Sequence, residues 1–266
     1  MTTNSALQTL NENGWRIGFT NFLRKENQEW WGGRRWLTQA ILWILILGGF
    51  LALPLFVAPA SAPPGEEVAV STTEAAQVYF QVAGLALAIA LIIRAQGTII
   101  GEKQSGTAAW MLSKPLSRPA FLLAKLFAFI LGIVVLQVVL PGAVAYIEIR
   151  IATGISLPVL TFLGGLGLLL ISQVFYLTLI LMLGTLYDRR GPVMAIAFVI
   201  LFGGSIIPNM LPQSNLVTPW PLTQIAGGLA AGTPLPATAW YPAIATLLWS
   251  VIFIWIALRR FQQEDF

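Results

Sequence analysis

Six long runs of apolar residues, separated by short polar segments, leave this sequence few ways to fold. A helix that crosses a bilayer needs roughly 20 mostly apolar residues, because hydrocarbon offers no water to unpaired backbone groups. Residues 37–57, 78–100, 121–147, 158–186, 191–210 and 241–258 each meet that requirement. The third and fourth runs are long enough to tilt or to continue beyond the bilayer. Only 10% of the residues are charged and 57% are hydrophobic, where a soluble domain carries roughly 25% charged residues. The sequence therefore predicts an all-α integral membrane protein with six transmembrane helices.

An even number of spans puts both ends on one side, and basic residues select that side. Arg16, Arg24, Lys25, Arg34 and Arg35 precede the first run. Arg94, Lys103, Lys114, Arg118 and Lys125 surround the second connection, Arg189 and Arg190 lie in the fourth, and Arg259 and Arg260 follow the last run. The opposite side holds Arg150 together with Glu66, Glu67, Glu74 and Glu148. Both termini are expected in the cytoplasm, with the chain in the cytoplasmic membrane. Topology thus accounts for a pI near 9.7, and no nucleic-acid partner is expected. Trp36, Trp43, Trp240 and Tyr241 fall near span ends, where amphipathic rings prefer to sit. Arg34-Arg35-Trp36-Leu37 and the later Ala58-Pro59-Ala60 loosely resemble a twin-arginine signal, but the apolar run is too long and five more follow.

Residues 1–36 are read as a cytoplasmic tail, polar and disordered over 1–11, followed by an interfacial helix. Over 12–31, Trp15, Phe19, Phe22, Leu23 and Trp30 recur at helical spacing, while Arg16, Arg24, Lys25 and Glu29 lie mostly off that stripe. Gly32-Gly33 is placed to end this helix. It serves either as a juxtamembrane anchor or as an elbow that also touches a partner, and the two are compatible. The transmembrane domain covers 37–258, and 259–266 form a second cytoplasmic tail. The first outer loop, 58–77, is Pro-rich and then acidic. The last outer connection, 211–239, carries no charge, and Pro212, Pro219, Pro221, Pro234 and Pro236 bracket a mild helix former over 222–232. It is read as a re-entrant helix, the alternative being a surface loop with one helical turn. No internal repeat is evident.

Several chemistries are absent. The chain has no Cys and no His, so thiolate chemistry and the commonest general base are missing. The span interiors are read as free of Asp and Lys, with Arg94, Glu102 and Glu148 near span ends. Ion-coupled transport and intramembrane proteolysis both lack their usual groups. Gly97-Thr98-Ile99-Ile100-Gly101-Glu102-Lys103 has the wrong spacing for a phosphate loop. No catalytic residue, metal ligand or bound cofactor is expected in this chain, which is not an enzyme by itself. Gln81, Gln137, Ser172, Gln173, Tyr176 and Thr178 are the polar residues within spans. Their commoner role is interhelical hydrogen bonding, about 0.6 kcal/mol each; Gln81, Gln137, Gln173 and Tyr176 are the candidates for a substrate pathway. Gly97-x-x-x-Gly101 and Gly164-Gly165-x-Gly167 permit close helix approach.

The second connection, 101–120, is the most informative polar segment. A simple reversal takes four residues, as at Tyr187-Asp188-Arg189-Arg190, so the extra length suggests a docking surface. Glu102 closes the second span and opposes its helix dipole, which calls for compensation by Lys103, Arg118, Lys125 or basic groups of the N-terminal helix. Gly106 frees a turn, and Thr107–Leu112 can form a short helix offering Trp110, Met111 and Leu112 as an apolar knob. Pro115 stops it, Ser117 can cap the next helix and Pro119 suits that helix's first turn.

Glu102-Lys103-x-Ser105-Gly106-Thr107, followed by Leu112-Ser113-x-Pro115-x-Ser117-Arg118 and Lys125, resembles the signature of ABC-2-type ABC transporter permeases. The resemblance spans the whole chain. It implies a permease subunit that moves a substrate, in this family mostly outward, using ATP hydrolysed by a separate ATP-binding subunit that holds the ATP and Mg. It implies a second permease copy or paralogue, with a homodimer as one form, and membrane lipid as surroundings. Glu102, Ser105, Gly106, Thr107, Trp110, Met111, Leu112, Pro115 and Arg118 would belong to a coupling helix seated on the ATPase. Trp15, Phe19, Phe22, Arg24, Lys25 and Trp30 would belong to the flanking elbow helix, and 211–239 to the re-entrant cap of the exit. The alternative is a non-transport scaffold or anchor for an assembly or regulatory complex.

Overall fold

Backbone donors and acceptors in so apolar a chain have to be paired internally, and every regular element among the described residues is helical. The structure, a computed structural model, describes residues 14–63, 70–113, 115–235 and 237–264. The expectations for the tail at 1–11, for Glu66 and Glu67, for Lys114 and for the side chain of Trp15 fall outside the described residues.

The helices are α1 (Phe19–Trp31), α2 (Arg35–Ala60), α3 (Thr72–Gln104), α4 (Thr107–Leu112), α5 (Arg118–Thr153), α6 (Val159–Leu186), α7 (Arg190–Gly203), α8 (Ile207–Met210), α9 (Leu222–Ala230) and α10 (Ala237–Gln262). Five of them, α2, α3, α5, α6 and α10, are long and apolar enough to cross a membrane. The chain is a multi-pass helical membrane protein.

The run at 191–210 differs from expectation, because it is not one continuous helix. α7 has 14 residues, about 21 Å at 1.5 Å per residue, and a turn at 204–206 separates it from α8. Two features coincide at the break: Pro208 has no N–H for the Gly204 carbonyl, and the Trp220 indole lies where a Cβ on Gly204 would be, 2.5 Å from its Cδ1. Trp220 Nε1 also donates to the Ile200 carbonyl at 2.9 Å, and Ser205 Oγ donates to the Phe202 carbonyl at 2.7 Å. These bonds satisfy acceptors that a continuing helix would have used.

α2 and α5 each widen into a π-helical segment, over Leu53–Val57 and Ile133–Val139. Each ends two residues before a proline, Pro59 and Pro141. A proline has no N–H for the carbonyl four residues back and its ring crowds that carbonyl, so the helix loosens there. α5, at 36 residues, is roughly 54 Å long, well beyond a hydrocarbon core of about 30 Å.

α6 is the most buried long helix and packs against α3, α9 and α10. Within the connection at 211–239, α9 sits between α3 and α6, with Leu222, Ala226 and Ala230 fully buried, while 211–213 and 216–217 are exposed. Small residues make the room. A Cβ on Gly227 would meet Gln77 Cα at 2.8 Å, and one on Gly165 would meet the Ala226 carbonyl oxygen at 2.8 Å. Gly84 faces the Thr223 methyl, about 18 Å along α3 from its first residue. The Gly164-Gly165 pair thus does serve close helix approach. Gly97 and Gly101 instead cradle the Arg190 guanidinium, at 3.2 and 3.3 Å from their ideal Cβ positions.

Candidate functional site

The short helix α4 lies beside an extended polar assembly. Gly106 enters α4 at φ +69°, a conformation that favours glycine. Ser105 and Thr107 hydroxyls lie 2.7 Å apart at its start. Beyond α4, Ser117 caps α5 by accepting from the Ala120 N–H at 3.2 Å, with Pro119 in the first turn. Ser117 and Pro119 therefore start α5 as read.

Three other parts of the chain hold this segment. The first is α1 and the turn before it. Ser117 N–H donates to the Ile17 carbonyl at 3.0 Å. Gly18, at φ +73°, lies so close that an added Cβ would sit 2.6 Å from the Pro115 carbonyl oxygen. The second is the α6–α7 turn, where Gln104 Nε2 donates to the Asp188 carbonyl at 2.8 Å and Lys103 pairs with the Asp188 carboxylate at 3.4 Å. The third is the C-terminal end, where Lys103 pairs with Glu264 and Arg118 Nη1 donates to the Gln262 carbonyl. Phe121 stacks between Phe22 of α1 and Phe261 of α10, 5.1 Å from each.

At the centre lies a buried charge cluster. Lys125 Nζ is 3.1 Å from Glu26 Oε1 and 3.0 Å from Glu102 Oε1. Lys25 Nζ is 3.2 Å from the same Glu26 oxygen and 3.6 Å from Glu102. Two cations and two anions balance, which such burial requires. Glu102 is thus compensated by Lys125 and Lys25, whereas Lys103 and Arg118 turn elsewhere. Lys125, counted with the second connection, lies seven residues into α5 with its side chain 2% exposed. Burial pulls the Lys25 ammonium down, but the Glu26 and Glu102 carboxylates together hold it above the ordinary lysine value.

Glu26 is the residue that sequence reasoning missed. It lies on the apolar face of α1 between Phe22 and Trp30, all three buried. The spacing of four residues on either side is the signal that could have found it. Phe19 packs edge-on against Phe127 at 6.0 Å, and Trp30 against Phe129 at 5.3 Å. Arg24 is exposed.

The expected knob is corrected. Trp110 is 61% exposed, but Met111 is 6% exposed and faces inward, accepting from Lys25 Nζ through its sulfur at 3.7 Å. Leu112 is half-buried. The outward face consists of Gln104, Ser105, Gly106, Ala109, Trp110 and Ser113. A cleft of about 390 Å³ opens between it and α1, lined by Phe22, Lys25, Thr107, Trp110, Met111 and Pro115.

The polar residues of the spans divide into two places. Gln81 and Tyr176 line a cleft of about 140 Å³ with Ser172, Trp220 and Thr223. Gln173 lies beside it and donates to the Gly84 carbonyl at 3.3 Å, an interhelical bond. Gln137 is elsewhere, in a cleft with Gln39, Trp43 and Arg94. Among the described residues no group of His, Cys, Asp and Glu is arranged to hold a metal ion.

A bundle of long apolar helices with one braced polar end defines a multi-pass membrane protein. The chain belongs to the family described as "Protein of unknown function (DUF2705)", whose family model matches residues 54–266. The match takes in α3 to α10 with the α4 segment and leaves out α1. No curated protein matches the chain.

Proposed function

We propose that this chain is the permease subunit of an ABC transporter of the ABC-2 type, moving its substrate outward across the cytoplasmic membrane. In this reading α7 and α8 together make the fifth of six spans, and both termini are cytoplasmic. α1 is the elbow helix, α4 the coupling helix and α9 the re-entrant helix at the exit. ATP and Mg belong to a separate ATP-binding subunit, and a second permease copy or paralogue completes the membrane part.

The observation that carries the reading is the bracing of α4. An exposed six-residue helix has too little internal hydrogen bonding to hold its own position. Here the residues on either side of it, Lys103, Gln104 and Ser117, are tied to the C-terminal end, to the α6–α7 turn and to the turn before α1, and Met111 within it meets Lys25 of α1. The buried cluster then links it to α3 and α5 through Glu102 and Lys125. A push on Trp110 therefore reaches two long helices through packed side chains, which is what transmission from an ATPase requires. The uncharged cleft of Gln81, Ser172, Tyr176 and Thr223 suits a neutral or amphipathic substrate better than an ion.

The test is a mild-detergent pull-down of the tagged chain from its native membrane, with identification of co-purifying polypeptides. A stoichiometric ATP-binding subunit is expected, captured less by Trp110→Ala. Recovery of the chain alone, or with non-ATPase partners only, would overturn the transporter reading and favour a scaffold.

A further inference from the structure

The cleft that holds Gln137 has no part in the proposed coupling. It lies between α2, α3 and α5, encloses about 400 Å³ and is lined by Gln39, Leu42, Trp43, Ile93, Arg94 and Gln137. Arg94 stands within a helix long and apolar enough to cross a membrane. Among the described residues no carboxylate lies within 4.0 Å of it. The Trp30 ring covers one side of the guanidinium at 3.6 Å, and Glu29, exposed on α1, acts on it only at longer range. A guanidinium near a span end, packed against the interfacial helix α1, calls for an anionic partner.

Two further observations concern the same cleft. Gln137, 2% exposed, leaves its Oε1 without a hydrogen-bond partner, and Trp43, 5% exposed, leaves its indole Nε1–H without one. One is an acceptor and the other a donor, so a ligand with both kinds of group would satisfy them. Leu42 and Ile93 stand at the rim, 45% and 53% exposed, where the surroundings of a membrane protein are acyl chains.

We propose that this cleft binds an anionic glycerophospholipid from the leaflet on the α1 side of the protein. Its phosphate pairs with Arg94, a hydroxyl of its headgroup donates to Gln137 Oε1, an ester carbonyl accepts from the Trp43 indole N–H, and one acyl chain runs along Leu42 and Ile93. A basic pocket between spans is a known physical basis for such selectivity. A free phosphate would supply the charge but not the chain. Arg34 and Arg35, exposed at the start of α2, would attract any anionic headgroup, so the test has to separate site from surface.

The full chain is purified in non-ionic detergent, stripped of lipid, and examined by native mass spectrometry and thermal unfolding with phosphatidylglycerol, phosphatidylcholine or inorganic phosphate. Wild type is expected to retain phosphatidylglycerol about tenfold better than phosphatidylcholine, whose phosphate is the same but whose choline cation would lie beside Arg94 and offers no hydroxyl to Gln137. Arg94→Gln should remove that preference. Ile93→Trp, at an exposed position that leaves the core intact, should fill the mouth and reduce retention of both lipids. Equal retention of phosphatidylglycerol by wild type and both variants would overturn the site in favour of surface attraction. So would equal binding of the two lipids to wild type, or stabilisation by inorganic phosphate alone. No ATPase is needed, so the outcome is independent of the transporter reading.

Discussion

Lys125 and Glu26, 99 positions apart in sequence, meet at 3.1 Å with side chains 2% and 3% exposed. The contact joins an amphipathic helix outside the bundle to a helix that runs through it. A buried ion pair is weak support for stability, since apolar residues of similar shape can replace it, but breaking one side strands a charge.

Glu26→Gln is therefore expected to destabilise the protein by about 3–5 kcal/mol, read as a lower midpoint of thermal unfolding in detergent. Adding Lys125→Met should recover much of the loss. Additive losses would mean that the two side chains do not act as a pair. Glu102→Gln should cost more than Lys103→Gln, because Glu102 faces the buried Lys125 while Lys103 pairs with the exposed Asp188 and with Glu264.

Gly18→Ala should loosen the α4 segment. The left-handed backbone costs a non-glycine residue about 1–2 kcal/mol, and the new methyl would meet the Pro115 carbonyl. The expected readout is faster proteolysis between residues 104 and 117 with the long helices intact. An unchanged cleavage pattern would show that the turn before α1 does not brace this segment.

Trp110→Ala and Met111→Ala should separate cleanly. Trp110 is mostly exposed, and its loss should change stability by no more than about 0.5 kcal/mol while reducing capture of a partner. Met111 is buried, and its loss should cost about 2 kcal/mol or more. Paired unfolding and pull-down measurements decide this, and a large unfolding effect of Trp110→Ala would remove its docking role.

Lys25 gives a pH signature. Its folded value is raised above 10.5, so its contribution is fully present below that pH and is lost as pH rises through the folded value. The stability gap between wild type and Lys25→Met should be constant through neutral pH and narrow only above pH 10.5. The side chain is 44% exposed, so solvent screening keeps the gap small. A gap that narrows towards acid pH instead would point to the carboxylates.

The chain has no Cys, so a single Ala226→Cys is a clean probe of α9. The thiol should be protected from a bulky thiol reagent, because Ala226 is fully buried. Gly227→Val should expose it, since the new side chain would strike the backbone at Gln77. Full labelling without Gly227→Val would place α9 outside the bundle.

Much of this architecture follows from local rules that any reader of the sequence can apply. Long apolar runs have to be helices in a membrane, Gly106 permits the left-handed turn into α4, and Ser117 with Pro119 starts α5 because capping depends on residues within one turn. The same holds for the extra length of the 101–120 segment. What only the tertiary structure decided are pairings between distant parts of the chain. Helical spacing placed Phe22 and Trp30 on one face, but only the approach of α5 made Glu26 a buried partner rather than a misplaced charge. Hydropathy marked 191–210 as one run, and Pro208 within it is a local breaker, but only the structure brings the Trp220 indole of a later turn against Gly204. Glycine spacing suggested a helix against Gly97 and Gly101, and an arginine side chain filled the space. Periodicity records which side of a helix is apolar; it carries no information on what arrives to cover that side, because that depends on shape and charge matched across the whole chain.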